Sequence, residues 1–267
     1  MILHWLITGD THGVNNTVAR NAKRMYPEVK PNEIGLISLG DAGFNFGRPE
    51  EDAKWKKIVN KIGVQIYCVR GNHDQRPETI EEIKMVWDHE VSGNIYWEEK
   101  YPNIHYFIDG NVYTIEGLRT LVLGGAYSVD KYYRMENAMY WEPEEQLSEA
   151  ERNEIFYSHM GERFSLILSH TCPISWQPTD LFLSFVDQST VDTTMEEWLE
   201  EFKNRIYYKA WLFGHYHDDR LVRPGAQMLY KKLEPLKDIY QRWFQNNPEY
   251  FIGWAKDPKY YYEEGQI

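Results

Sequence analysis

The sequence predicts an α/β fold built on a parallel sheet, and three observations predict it. Short apolar runs alternate with stretches of helical periodicity from the start of the chain to residue 70. The pattern of apolar run, helix and apolar run returns after residue 160, and the runs end in Asp, Asn or His rather than in simple turn residues. Strands separated by helices imply βαβ units with crossover connections.

The first run, "ILHWLIT" (2–8), reads as a strand, and Val14, Val18, Ala22 and Met25 then recur at helical spacing before Pro27. "IGLISLG" (34–40) is the second strand. Pro49 suits the first turn of a helix whose apolar face is Trp55, Ile58, Val59 and Ile62. "VQIYCVR" (64–70) is the third strand. In "YFIDGNVYTI" (106–115) an Asp-Gly pair flanked by strand formers predicts a hairpin. "RTLVLGGAY" (119–127) is a further strand, and the acidic stretch 142–154 is expected to be helical. "FSLILSH" (164–170) precedes a loop with Pro173 and Pro178. Thr193 and Glu196 have capping-box spacing, ahead of an apolar face of Met195, Trp198, Leu199 and Phe202. "YYKAWLFGHYH" is the last strand of the pattern. No repeat or linker divides the chain, so residues 1–267 are expected to form a single domain. Residues 237–267, rich in Tyr, Trp and Phe, are expected to be an extension packed on its body.

Composition limits the function classes. The chain has 267 residues, 42% hydrophobic and 26% charged, as expected of a globular protein with ample length for a core. No apolar run approaches the roughly 18 residues that span a bilayer. "MILHWLITGDTHG" reads as a strand rather than a secretory signal, so a cytoplasmic location is expected and no membrane partner. Cys68 and Cys172 are isolated and make neither a disulfide framework nor a zinc pair. A net charge of −12 opposes nonspecific binding to nucleic acid.

The strand ends carry the chemistry. The first ends in "GDTHG" with Asp10 and His12, the second in "GDAGFN" with Asp41, and the third in "RGNHD" with Asn72, His73 and Asp74. "LILSH" ends in His170 and "WLFGHYH" in His215 and His217, two imidazoles that an extended chain would turn to one face. Ligands of open α/β sheets bind at the carboxyl ends of the strands. Each fragment alone is common, but five strands delivering Asp, His and Asn to one edge point to a metal centre.

In order, from residue 9 to 217, the set D-x-H, G-D, G-N-H-D, His and G-H-x-H resembles the calcineurin-like metallophosphoesterase superfamily, in particular small bacterial or phage members. The resemblance implies a two-sheet β-sandwich flanked by helices (αββα), with a metal site at the C-terminal ends of the strands. It implies a first ion held by Asp10, His12, Asp41 and His217, and a second held by Asp41, Asn72, His170 and His215, with Asp41 bridging. Imidazole, carboxylate and amide ligands without thiolate suit Mn²⁺ foremost, then Fe, Zn²⁺ or Ni²⁺. Such a pair would share a hydroxide for in-line attack on a phosphate mono- or diester. His73 would be the catalytic residue, a general acid for the leaving oxygen.

The family's G-D-x-x-D commonly ends in an acid that orients this histidine; here Phe44 stands there, followed by Asn45. Asn45 or Asp74 are the substitutes within reach. The Arg-Gly of serine/threonine protein phosphatases is also missing at 45–46, although Arg48 is near. The expected partner is therefore a phosphorylated substrate of unspecified identity. The alternatives are a nucleotide or dinucleotide-polyphosphate hydrolase, suggested by the aromatic and basic segment 124–141, and a noncatalytic scaffold of the same fold. Arg70, Arg76, Lys131 and Arg134 could meet phosphate oxygens or serve packing and surface ion pairs alone. His4, His89, His105 and His159 read as structural or exposed.

Overall fold

Continuous apolar runs, whose successive side chains point to opposite faces, supply both buried faces of the central strands in two sheets. A computed structural model describes residues 1–47, 49–244 and 252–253. Arg48, residues 245–251 and residues 254–267 lie outside the described residues, and with them most of the expected extension. The elements are β1 (His4–Thr8), α1 (Asn15–Met25), β2 (Ile34–Ser38), α2 (Pro49–Ile62), β3 (Gln65–Cys68), β4 (Ile83–Asp88), β5 (Gly93–Glu98), β6 (Ile104–Phe107), β7 (Val112–Ile115) and β8 (Leu118–Leu123). There follow α3 (Lys131–Glu136), α4 (Glu149–His159), β9 (Arg163–Ser169), α5 (Thr194–Lys203), β10 (Tyr207–Phe213), β11 (Arg220–Arg223), β12 (Ala226–Met228), β13 (Glu234–Pro235), α6 (Leu236–Phe244) and β14 (Ile252–Gly253).

One sheet has the order β13-β1-β2-β3-β6-β5-β4 and the other β11-β12-β10-β9-β8-β7, with β14 also on β10. β1, β2, β3 and β6 run parallel, as do β8, β9 and β10. Trp5, Ile7, Ile37, Tyr67 and Phe107 of the first sheet meet Val122, Leu166, Leu168 and Leu212 of the second. The outer face of the first sheet (Leu6, Leu36, Ile66) is covered by Ala19 and Ala22 of α1 and Val59 of α2. The outer face of the second (Leu121, Ile167, Trp211) is covered by Ile155 of α4 and Met195, Leu199 and Phe202 of α5. This is the helix-flanked, two-sheet sandwich.

Four local expectations need correction. The Asp-Gly segment is not a hairpin: β6 pairs with β3 and β5, whereas β7 pairs with β8. Asp109 is claimed instead by Arg70 Nε (2.8 Å) and the Gly124 amide (2.6 Å), so the chain crosses between sheets there. The real hairpin turn is Glu116-Gly117, with φ of 50° and 77° as a two-residue primed turn requires. In α1 the buried face is Asn15, Ala19 and Ala22, while Val14 and Met25 are exposed. The acidic stretch is helical only from Glu149, where Ser148 and Glu151 form a capping box; the carbonyls of Glu144 and Glu145 are held by Arg70 and Arg76. Thr193 makes no side-chain cap, its hydroxyl donating instead to Glu197 Oε1 at 2.9 Å, while Glu196 turns inward to accept from Thr171 Oγ1 at 2.7 Å.

Of the tail, Ile239 of α6 joins the core between the sheets, next to Leu236 just ahead of it, and β14 pairs with Tyr207 and Tyr208. Cys68 and Cys172 are buried and free. No helix among the described residues is long and apolar enough to cross a membrane.

Candidate metal centre

The loops after β1, β2, β3, β9 and β10 converge at one edge of the sandwich. The first three belong to one sheet and the last two to the other. Four of the expected ligands sit at positive φ: His12 (42°), Asp41 (44°), His215 (68°) and His217 (55°). That conformation is costly for residues other than glycine and concentrates at functional sites. Glycines leave room for the crowding. A Cβ on Gly40 would strike the His170 ring, one on Gly71 the Asp41 carboxylate, and one on Gly214 the Asp10 carboxylate.

Two groups of potential ligand atoms result, each within 4.8 Å: Asp10, His12 and His217, and Asp10, Asp41 and His170. His12 Nε2 lies 2.8 Å from His217 Nε2, and Asp10 Oδ2 lies 3.3 Å from His217 Nε2. Asn72 joins the second group through its Oδ1, 2.8 Å from His170 Nε2, while its amide nitrogen donates to Ser128 Oγ at 2.8 Å. Asp41 Oδ2 is 3.7 Å from His170 Nε2 and 3.9 Å from His73 Nε2. In this geometry Asp10, rather than Asp41, is the carboxylate common to both groups. The His215 ring stands edge-on to His170, centroids 4.9 Å apart, and its amide donates to Asp10 Oδ1 at 3.0 Å.

The electrostatics favour a cation. Burial, with Asp74 and Asp10 nearby, pushes Asp41 well above the usual carboxylate range. Burial likewise raises Asp74 to about 7. For Asp10 burial acts upward, but His170, His217 and the His215 amide outweigh it and hold the group low. Burial lowers His12 and His170, and takes His215 to about 3. Buried carboxyls facing neutral imidazoles, with Asp10 Oδ2 lacking a hydrogen-bond partner, match the donor set of divalent transition ions. The residues therefore fit such ions.

His73 sits at the rim with its side chain 12% exposed. Its Nδ1 is buried without a hydrogen-bond partner. Phe44 is fully buried in the core under α1 and α2. Neither proposed substitute supports the ring: His73 Nδ1 receives nothing from Asn45, and Asp74 Oδ2 accepts from the Gly71 amide at 2.9 Å. Instead Phe46 lies against the His73 ring (centroids 5.7 Å apart, 32° between planes), and Arg134 Nη2 is 3.4 Å from Nε2. Burial first, then Arg134 and His12, lower the His73 pKa to about 2.

Sequence reasoning left several supporting residues unassigned. Thr11 and Asn15 both bind the Ala42 carbonyl and clamp the first two ligand loops together. Tyr230 stacks on His217 at 4.7 Å (19° between planes), its amide held by Asp219. Within the segment 124–141, Ser128 and Arg134 reach the site, whereas the Lys131 ammonium stands 4.5 Å from the Trp141 ring centroid and 5.5 Å from that of Tyr127. Arg70 and Arg76 serve Asp109, Glu151 and backbone carbonyls. His105 is stacked on Tyr67 and bonded to Gln65, and His159 is bonded to Gly110 and Glu162. His4 is stacked on Tyr26.

A family model described as calcineurin-like phosphoesterase matches residues 3–219. No curated protein matches the chain. Among solved structures, the chain is similar to TT1561 of Thermus thermophilus, with 12% identity over 88% of this chain and 98% of that one, at a TM-score of 0.42. It is also similar to the phosphopantetheinyl hydrolase PptH from Mycobacterium tuberculosis, with 16% identity over 97% of this chain and 98% of that one, at a TM-score of 0.44.

Proposed function

The chain belongs to the calcineurin-like phosphoesterase family, and from that premise we propose that it is a hydrolase of phosphate esters working with two divalent ions, Mn²⁺ foremost. What supports the dinuclear reading is the meeting of two ligand groups, Asp10–His12–His217 and Asp10–Asp41–His170, with Asn72 and His215 against the second. Asp41 would hold both ions, as the family resemblance implies, with Asp10, the carboxylate common to the two groups here, beside it. When bound, the ions supply Lewis acidity and make water a nucleophile near neutral pH.

The chain's own residues do the rest. The Ser128 hydroxyl turns the Asn72 oxygen inward. The Leu39 carbonyl, 2.7 Å from His170 Nδ1, leaves Nε2 to face the site. Thr11 and Asn15 keep the loops of Asp10 and Asp41 at a fixed separation. His73 would hold a proton for the leaving oxygen once a phosphate dianion, placed beside it, offsets the burial and the Arg134 charge that keep it neutral.

Metal analysis with a panel of phosphomonoesters, diesters and nucleotides tests the reading. Protein loaded with Mn²⁺ should carry two ions, and a chelator should abolish turnover. Asp41→Asn should lower occupancy of both positions. One ion per chain with full turnover would overturn the dinuclear reading. The nucleotide-polyphosphate alternative draws on segment 124–141, and the same panel separates it from a simple ester hydrolase.

A further inference from the structure

We propose that Arg134 is the phosphate-clamping residue of this site and that it selects phosphomonoesters over diesters, an inference that rests on the phosphoesterase reading above. Arg134 is carried by the short helix α3, which follows the loop of β8 beside the ligand strand β9. Two of its nitrogens are spent on anchoring: Nε donates to Asp130 Oδ2 at 2.6 Å, and Nη1 to the Tyr140 carbonyl at 3.4 Å. Nη2 is left at the site, 3.4 Å from His73 Nε2. With its side chain 15% exposed, the guanidinium is held in place before substrate arrives, so little rotamer freedom is lost on binding. Arg76 is committed to Glu151 and backbone carbonyls; Arg70 keeps an unpartnered Nη2, but it is buried and held by Asp109 and the Glu145 carbonyl, with no contact to His73 among its hydrogen bonds.

The surroundings of His73 give the clamp its selectivity. Its Nδ1 is buried with no acidic partner behind it, and Arg134 brings a positive charge to its Nε2. A phosphomonoester dianion carries one more negative charge and one more non-bridging oxygen than a diester. With two oxygens facing the carboxylate–imidazole cluster, the third remains for a donor at the rim, and Arg134 is that donor. In a diester the same position holds an esterified oxygen, a poor acceptor whose substituent would meet the arginine. The guanidinium's charge-assisted hydrogen bond is thus available to the monoester alone.

The test compares wild type, Arg134→Ala and Arg134→Lys, each loaded with Mn²⁺ and assayed for metal content. Nitrophenyl phosphate and bis-nitrophenyl phosphate serve as substrates, and the affinity for inorganic phosphate is read by calorimetry. Wild type should prefer the monoester. Loss of the donor should lower kcat/KM for the monoester by roughly 10²–10³-fold and for the diester far less, with phosphate binding weakened about tenfold or more. The lysine variant should recover part of the monoester rate. Equal losses on the two substrates, or unchanged phosphate affinity at full metal content, would overturn the clamp. Should the alanine variant lose its ions, the lysine variant decides by the same ratio. Wild-type protein that turns over neither ester would overturn the phosphoesterase reading, whereas phosphate affinity that depends on Arg134 would still uphold the clamp.

Discussion

At the scale of single residues, His73 and its neighbours tie charge to chemistry. An imidazole whose pKa is lowered to about 2 is neutral at pH 7, and a neutral imidazole is a weak proton donor until an anion joins it. Proton donation typically contributes about 10²–10⁴-fold, and it matters most for a basic leaving group. His73→Ala should therefore slow hydrolysis of alkyl phosphates far more than that of a nitrophenyl ester, with the ions retained. A leaving-group series at full metal occupancy checks this; equal losses across it would assign His73 to the phosphoryl centre and end the general-acid reading. The residues that converge at the candidate centre were legible in the sequence because each closes an apolar run, where the chain leaves the sheet with a short polar segment. Ser128 was not, and Arg134 was legible only as one of several basic residues, since they meet Asn72 and His73 across 56 and 61 positions, a separation that no local pattern encodes.

At the scale of elements, the buried start of α5 carries a pH dependence. Burial pushes the Glu196 carboxyl from 4.5 up to about 7, although it accepts a hydrogen bond from Thr171, next to His170. The folded chain then binds this proton more tightly than the unfolded chain. The stabilisation is complete below about pH 4.5 and is lost as pH rises toward 7, with a slope of up to about 1.4 kcal/mol per pH unit. Glu196→Gln, which keeps an acceptor for Thr171, should flatten that limb and make the metal-free protein more stable than wild type above pH 7. Calorimetric Tm values between pH 4.5 and 8 test it, and an unchanged slope would remove Glu196 as the source. The same residue shows why elements were read unevenly. The apolar face of α5 was visible as Met195, Leu199 and Phe202, but the capping spacing of Thr193 and Glu196 misled because Glu197 takes the Thr193 hydroxyl and a tertiary partner, Thr171, takes the Glu196 carboxylate. Asp109-Gly110 misled in the same way: its turn chemistry is real, yet Arg70 and Gly124 decide which sheets it joins. The hairpin of β4 and β5 carried no comparable signal, since Lys84, Met85 and Trp87 are exposed and blur the alternation.

At the scale of the whole molecule, the ligand strands come from both sheets, so bound ions would tie one sheet to the other. A ligand at 100 times its Kd stabilises the folded state by about 2.7 kcal/mol, and for a chain of this size each kcal/mol moves Tm by roughly 2–4 °C. Saturating Mn²⁺ should accordingly raise Tm by at least about 5 °C over chelated protein, and Asp41→Asn should remove most of that gain. An unchanged Tm in calorimetry would mean that the ions do not bridge the sheets. The alternation of apolar runs and helices made the sandwich legible in outline. That the chain returns to its first sheet at the end was not legible, because β13 is two residues long and its partner lies near the opposite end of the sequence.

That return has a consequence for biosynthesis. Leu6 of β1 takes Pro235 of β13 as its neighbour, so the strand that leads to Asp10 is flanked on one side only until residue 235 has been synthesised. At about 5–20 residues per second, the nascent β1 waits on the order of 10–50 s with an open edge. His215 and His217 emerge shortly before β13 does. The last ligands and the strand that closes the edge of β1 therefore leave the ribosome together, and the centre can be completed only as translation of this region ends.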